Sequence, residues 1–452
     1  MDQSYLIKPA LDETYPTIDY GKGTYLFDLE GRKYFDAASG AVTANIGHGV
    51  EEIIEAMHEQ AKRVSFVYRS QFTSEPAEKL ALKIAQHASG DLNWCFFVNS
   101  GSEATETAMK IAIQYWQEKG IHTKTKVLSR WLSYHGITMG ALSMSGHPGR
   151  RARFTPLLEN LPVIHPPYCY RCPYSLNAPA CGHLCAKELE AAINRIGREY
   201  IAAFIAEPVI GAAGGAITPP DGYYKTLKEI CERHEILFIA DEVMTGFGRT
   251  GTMLAFDHWG IVPDIAALGK GMGAGYAPIA AALVSDQVME PIMNGSKSIM
   301  SGHTLSANPQ ACAAALAVIE YLEKNDIIND VEFKGVYLKN HLDRLKAEFS
   351  FIGDIRGKGL LIGIEFVKNR QEKTPFPRTM RFTDNIVKTG RNNGLLLYPA
   401  GSGLDGISSD AVLIAPPLTV TKREIDELIV LLRKTFSVFQ HEFMKNPDRE
   451  GD

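Results

Sequence analysis

The feature that most constrains this chain is a recurring unit: a short apolar run, a small polar cluster at its end, and then a different local pattern. "WCFFV" (Trp94–Val98) ends in Asn99-Ser100-Gly101-Ser102, and "KVLSRWL" leads into Ser133-Tyr134-His135-Gly136. "FIA" ends in Glu207-Pro208, "LFIA" in Asp241-Glu242, and "IAALG" in Lys270. Strand-like runs alternating with helix-like segments specify an α/β fold with a mostly parallel sheet. In open sheets of that kind ligands bind outside the carboxyl ends of the strands. Packing explains any one of these polar ends, but five of them on one edge predict a site.

The flanking segments fill in the architecture. "SGSEATETAMKIAIQYWQ" reads as a helix, with Ser100 and Glu103 spaced as a capping box and Ala104, Ala108, Ile111 and Tyr115 on one face. "PIAAALV" is a further strand and "NPQACAAALAVIEYLEK" a long helix. Beyond about residue 325 the character changes. "IRGKGLLIGIEFV" is a glycine-broken strand pair, "GLLLYP" and "VLIAPP" are short strands, and "TKREIDELIVLLRKTFSVF" is an amphipathic closing helix. The expected division is a large cofactor-binding part over 71–325, with a cysteine-bearing insertion near 165–186, and a small α+β part over 326–452 that the hairpin-rich segment 1–70 joins.

With 452 residues, 45% of them hydrophobic, the chain can bury a sizeable core. The net charge of -5 and the absence of any like-charge block argue against nucleic acid or an anionic membrane as partner. The start "MDQSYLIKPALDETYP" has no apolar signal-like stretch and no apolar run is long enough to span a bilayer, so a cytoplasmic small-molecule enzyme is expected. Of seven cysteines, Cys95, Cys231 and Cys312 sit in apolar contexts and read as core. Cys169, Cys172, Cys181 and Cys185 have a spacing that a tetrahedral zinc site accepts, with His183 as a competing ligand. Free thiols in a surface excursion and a redox-sensitive pair are the other readings of those four.

Taken singly, the polar ends are ambiguous. Gly101 and Ser102 at a helix start suit a phosphate, yet an ordinary N-cap has the same look. Asp241 and Glu242 also resemble an N-cap, and Tyr134 and His135 resemble packing residues as much as a platform for a flat ligand. Lys270 stands among Gly269, Gly271, Gly273 and Gly275. The loose dinucleotide fingerprint fits Gly269, Gly271 and Ala274, but it must open a helix, and Tyr276-Ala277-Pro278 with a further strand follows instead. The Walker pattern fails outright. A lysine at a strand end, with glycines that leave it room, fits a Schiff-base lysine.

The motifs "SGSEATETAMKIA", "SYHG", "IAEPVIGAAGGAITPPDGYY", "LFIADEVMTGFGRTG", "DIAALGKGMGAGYAPIAA", "GHTLSANPQACAAALAVI" and "APPLTVTKREIDEL" together resemble the class III aminotransferases, pyridoxal-phosphate enzymes of fold type I. The likeness runs from about residue 20 to 435, in the family's order. It implies a fold with a mostly parallel central sheet in a large part and a smaller α+β part built from both chain ends. It also implies roles. Lys270 would hold pyridoxal 5'-phosphate as an aldimine and shuttle a proton, and Asp241 would bond the pyridinium nitrogen. Val243 and Tyr134 would cover the ring's faces, Ser100, Gly101 and Ser102 would hold the phosphate, and His135 and Glu207 would lie near the cofactor. Thr304 would reach the phosphate of the neighbouring subunit in a homodimer or a dimer of dimers. Phe66, Tyr68 and Arg69 stand where relatives line the substrate pocket.

The chain departs from the resemblance in one respect. Many relatives carry an arginine shortly before "APPL" that grips a substrate carboxylate, whereas here no arginine lies between Arg391 and Arg423. The expected reaction is ping-pong transfer of an amino group from a terminal amine or ω-amino acid to a 2-oxo acid such as pyruvate, with diaminononanoate-type and taurine-type transfer as variants. An aminomutase, racemase or decarboxylase on the same fold, a nicotinamide-linked dehydrogenase and a zinc-stabilised interaction protein are the competing readings.

Overall fold

The computed structural model describes residues 5–444 apart from 12, 160 and 161, and these form three sheets with their covering helices. In chain order the strands are β1 (Ile18–Lys22), β2 (Tyr25–Asp28), β3 (Lys33–Asp36), β4 (Leu92–Val98), β5 (Lys126–Arg130), β6 (Pro162–Ile164), β7 (Ile201–Ala206), β8 (Leu237–Asp241), β9 (Ile265–Leu268), β10 (Ala280–Ser285), β11 (Ile352–Lys358), β12 (Leu361–Phe366), β13 (Leu395–Leu396), β14 (Tyr398–Ser402) and β15 (Ser409–Ile414). The central sheet has seven strands in the order β4-β10-β9-β8-β7-β5-β6. β10 runs antiparallel to both its neighbours, and every other adjacent pair is parallel. The carboxyl ends of β4, β5, β7, β8 and β9 therefore open on one edge. The mostly parallel α/β sheet expected from the sequence forms.

The sheet is covered on both faces, which is why every residue of β7 and β8 is buried. The Gly101–Glu118 helix seals one face. Its Ala104, Ala108, Ile111 and Tyr115 pack with Ile239 and Ala267 of the sheet. On the other face Leu227 and Ile230 of the Tyr223–Arg233 helix join Phe204 and Phe238. The capping box expected at Ser100 is only half made. Ser100 Oγ accepts from the N–H of Glu103 at 3.2 Å, but the Glu103 carboxylate reaches past Ser100 to the N–H of Asn99 at 2.7 Å. A full capping box closes instead at Thr421 and Glu424, at the start of the Lys422–Phe439 helix.

The chain ends meet. β11, β12, β15 and β14 form an antiparallel sheet, while β13 pairs in parallel with β3, so the N-terminal hairpins and the C-terminal segment share the sheet β1-β2-β3-β13. One buried guanidinium ties these pieces to the central sheet. Arg249 donates to the carbonyls of Leu360 and Pro416 at 3.1 and 2.6 Å, to Asn45 Oδ1 at 2.7 Å and to Ser39 Oγ at 3.3 Å. Replacing it by Met leaves those buried acceptors without a donor. Arg249→Met should cost about 3 kcal/mol or more of unfolding free energy, seen as a lower urea midpoint. A midpoint equal to that of the parent protein would show the clamp to be dispensable.

Candidate active site

At the carboxyl edge of the central sheet lies a pocket with a cavity volume of about 180 Å³. Gly101, Ser102, Tyr134, His135, Glu207, Asp241, Val243 and Lys270, drawn from five separate stretches of sequence, line it. Gly136, Ala212 and Met244 complete the wall.

Asp241 closes β8 and is buried. Its Oδ2 accepts from Nδ1 of buried His135 at 2.7 Å, and its Oδ1 accepts from the N–H of Val243 at 3.1 Å. An ionised carboxylate can only accept, so the ring proton of His135 sits on Nδ1. His135 Nε2 has no hydrogen-bond partner among the described residues. The sequence reading of His135 as a direct cofactor neighbour is thus joined by a second task, holding the Asp241 carboxylate in place.

Lys270 follows β9 and opens a single 3₁₀ turn, Lys270–Met272, so the helix that a dinucleotide loop requires does not form. Its φ of 44° lies in the left-handed region, which costs a residue with a Cβ about 1 kcal/mol. Its Nζ makes no hydrogen bond or ion pair to the described residues. Burial pushes its pKa down to about 8, against the raising influence of Asp241 and Glu207. The neighbouring glycines do not serve as room for the lysine. A Cβ on Gly271 would stand 2.2 Å from Asn45 Nδ2 and one on Gly273 would stand 2.5 Å from the carbonyl oxygen of Ala277. These glycines let the Lys270 turn pack against its surroundings.

Gly101 and Ser102 occupy the first two positions of their helix, where backbone N–H groups have no helical acceptor. Side-chain-free backbone is required at both sides of this corner: a Cβ on Gly101 would lie 2.7 Å from Val243 Cγ1, and one on Gly136 would lie 2.6 Å from Ser102 Oγ. Ser102 Oγ accepts from the N–H of Ile137 at 3.0 Å, which leaves its own proton free to donate. Two open amides, a hydroxyl and the positive end of an 18-residue helix make an anion site.

Glu207 follows β7. Its Oε1 accepts from the N–H of Tyr134 at 3.1 Å, while its Oε2 has no hydrogen-bond partner and lies 3.7 Å from an Arg130 nitrogen. Burial pushes its pKa up to about 7, opposed by His135 and Arg130. Arg130 is a functional neighbour that the sequence reading passed over. It ends β5, is fully buried, and donates to the Glu207 carbonyl at 2.7 Å and to the Tyr224 hydroxyl at 3.1 Å. A charged residue closing the apolar run "KVLSR" was the available signal.

Other sequence candidates fall outside the pocket. Ser100 is exposed and caps its helix. Thr304 is exposed on the turn after Ser301. Phe66, Tyr68 and Arg69 lie on an exposed segment beside that turn, where Arg69 donates to the Ser301 carbonyl at 2.7 Å and its guanidinium lies 4.5 Å from the Phe96 ring centre. Cys231 and Cys312 are buried and Cys95 packs half-buried against the same core. Cys169, Cys172, Cys181 and Cys185 are free, and no group of three or more metal-ligating side chains among the described residues is arranged to hold a metal. Burial pushes Cys169 up, and Cys185 up to about 12, away from the thiolate form that metal ligation needs. No helix among the described residues is long and apolar enough to cross a membrane.

Comparison with known proteins gives the same picture. Residues 7–436 match the family described as aminotransferase class-III. The Bacillus subtilis (strain 168) protein YodT, an uncharacterized aminotransferase, is 55% identical over 443 residues, covering 98% of this chain and 100% of its own. A putrescine–pyruvate aminotransferase of Pseudomonas aeruginosa is 36% identical over 425 residues, or 92% of this chain and 89% of its own. Among solved structures, an amine transaminase from an uncultivated Pseudomonas species, in its PLP-bound form, superposes with a TM-score of 0.89 at 33% identity, covering 96% of this chain and 98% of that one.

The depressed basicity of Lys270 is testable in cofactor-free protein. A lowered lysine pKa means that the neutral, nucleophilic amine is present at lower pH. Labelling of Lys270 by a simple aldehyde with borohydride reduction, read by peptide mass, should reach half its maximum near pH 8. Exposed lysines should do so about two units higher. A Lys270 midpoint shared with the surface lysines would show that burial does not tune it.

Proposed function

The chain belongs to the class-III aminotransferases, and from that premise we propose that it moves an amino group from a terminal amine or ω-amino acid to a 2-oxo acid such as pyruvate, with pyridoxal phosphate as cofactor. The observation that carries this reading is the convergence in one pocket of an unpaired lysine amine, a buried carboxylate and an open helix start. Those are the partners that an aldehyde, a ring nitrogen and a phosphate on one small molecule require. The cofactor, when bound, supplies an electrophilic aldehyde and an aromatic ring that accepts electrons from the reacting carbon.

The chain's own residues then have distinct tasks. Lys270 would hold the aldehyde through Nζ and, once displaced by an incoming amine, would carry a proton on that same nitrogen. Its lowered basicity lets it lose and regain the proton near neutral pH. Asp241, oriented by His135 and the Val243 N–H, would present its carboxylate to the ring nitrogen. Val243 and Tyr134 would confine the ring, and Gly101 and Ser102 would bind the phosphate. Glu207, with a free Oε2, would orient groups beside the ring. Thr304, exposed beside Met300 and Leu305, would serve the pocket of a second copy of the chain in a homodimer or dimer of dimers. The terminal-amine donor is supported by the amine transaminase and putrescine–pyruvate relatives.

The direct test supplies an amine donor and pyruvate to the protein loaded with pyridoxal phosphate and follows alanine. Parallel double-reciprocal lines are expected, because the first product leaves before the second substrate enters. Lys270→Ala should abolish turnover together with the amine-sensitive visible absorbance, and turnover at the parental rate would remove Lys270 from the reaction. Asp241→Asn should keep the cofactor bound yet slow turnover by about 10²-fold or more. An unchanged rate would take Asp241 out of the mechanism.

A further inference from the structure

We propose that Arg150 grips the carboxylate of the 2-oxo acid acceptor at the mouth of the pocket. This rests on the aminotransferase reading above and assigns a task that the sequence leaves open. No arginine stands between Arg391 and Arg423, and Ala411, Val412, Leu413, Ile414 and Ala415 are all fully buried and apolar. That strand therefore offers a carboxylate nothing.

Most arginines around the site are already engaged. Arg130 is bound to Glu207 and Tyr224, Arg249 to four oxygens of the N- and C-terminal segments, and Arg356 to Asp354, Glu365 and the Gly214 carbonyl. Arg150 differs. It is exposed, and its guanidinium makes no hydrogen bond or ion pair to the described residues; its contact is with the face of Tyr134, 4.7 Å from the ring centre. Tyr134 lines the pocket. A guanidinium stacked on an aromatic face keeps its in-plane N–H groups free for a two-pronged grip on a carboxylate.

The local structure holds Arg150 in that place. It belongs to the short Pro148–Arg151 turn. The adjacent Arg151 anchors the turn by donating to the carbonyls of Leu142, Ser143 and Ser145 at 3.0, 2.8 and 2.7 Å. His147, preceding the same turn, meets Tyr134 edge-on at 6.4 Å, and burial pushes it down to about 4, so it is neutral at working pH and adds no charge beside Arg150. The positive charge is also felt at Lys270, whose basicity it lowers. Deeper in the pocket Lys270 stands with two acids, Glu207 and Asp241, so a carboxylate entering there meets acidic neighbours. An acceptor held at the mouth by its carboxylate would direct its carbonyl inward, toward Lys270.

The test compares two acceptors at a fixed amine donor: pyruvate, and a simple aliphatic aldehyde that has no carboxylate. In Arg150→Ala the KM for pyruvate should rise about 30-fold or more, while kcat/KM for the aldehyde and the affinity for pyridoxal phosphate stay within twofold. Arg150→Lys should recover part of the pyruvate KM, since it restores the charge without the planar fork. An equal loss with both acceptors, or a loss of cofactor affinity, would overturn the assignment by showing that Arg150 merely supports Tyr134. Alanine formation by the unmodified protein combined with an unchanged pyruvate KM in Arg150→Ala would overturn the inference alone. No alanine from the unmodified protein would overturn the aminotransferase reading and the inference with it.

Discussion

The arrangement of the site depends on the buried guanidinium of Arg249. Among the described residues it makes no ion pair with a carboxylate, and it is held by oxygens from the N-terminal segment, at Ser39 and Asn45, and from the C-terminal region, at Leu360 and Pro416. A cation buried this way needs hydrogen-bond acceptors at its terminal nitrogens, so the pieces that supply the oxygens have to meet at one point. Asn45 passes the constraint on. Its amide donates to the Phe247 carbonyl and packs directly against Gly271, the residue after Lys270. The position of Lys270 is thereby coupled to the N-terminal segment, more than 200 residues away in sequence.

The pocket is an unequal distribution of charge. Asp241 and Glu242 are adjacent, yet they face different surroundings. Asp241 meets His135 and the pocket, whereas Glu242 accepts from Thr245 and from the N–H of Phe256 and is pushed up to about 7 by burial. Glu207 is likewise raised, and Lys270 is lowered. Burial thus brings one acid and one base of the pocket toward the same range near neutrality, where a proton moves between groups at small cost. Arg130 and Arg249 are fixed to protein oxygens, whereas Arg150 rests on the face of Tyr134.

Much of this was legible in the sequence. Short apolar runs ending in polar clusters located the strands, and parallel pairing made their ends converge. Eight of the residues so marked, from Gly101 to Lys270, share one pocket. Three kinds of detail were not legible. The Ser100–Glu103 spacing does not reveal that the carboxylate lands on Asn99, because the choice depends on how β4 enters the helix. The glycines beside Lys270 look like freedom for a lysine until Asn45 and Ala277 are seen against them. Phe66, Tyr68, Arg69 and Thr304 stand outside the pocket of their own chain, which no local pattern announces.

By itself, then, the sequence determined the parallel α/β framework and the set of polar strand ends, since these follow from local periodicity and from residue types at fixed spacings, while the family came from the resemblance of its motifs. Tertiary structure decided which polar groups are spent and which are free. Arg130, Arg151, Arg249 and Arg356 are chemically identical to Arg150 in the sequence. They differ only in the oxygens that distant segments bring to them, and a guanidinium's availability is fixed by those neighbours alone. The same holds for Lys270, whose basicity is set by the protein that folds around it.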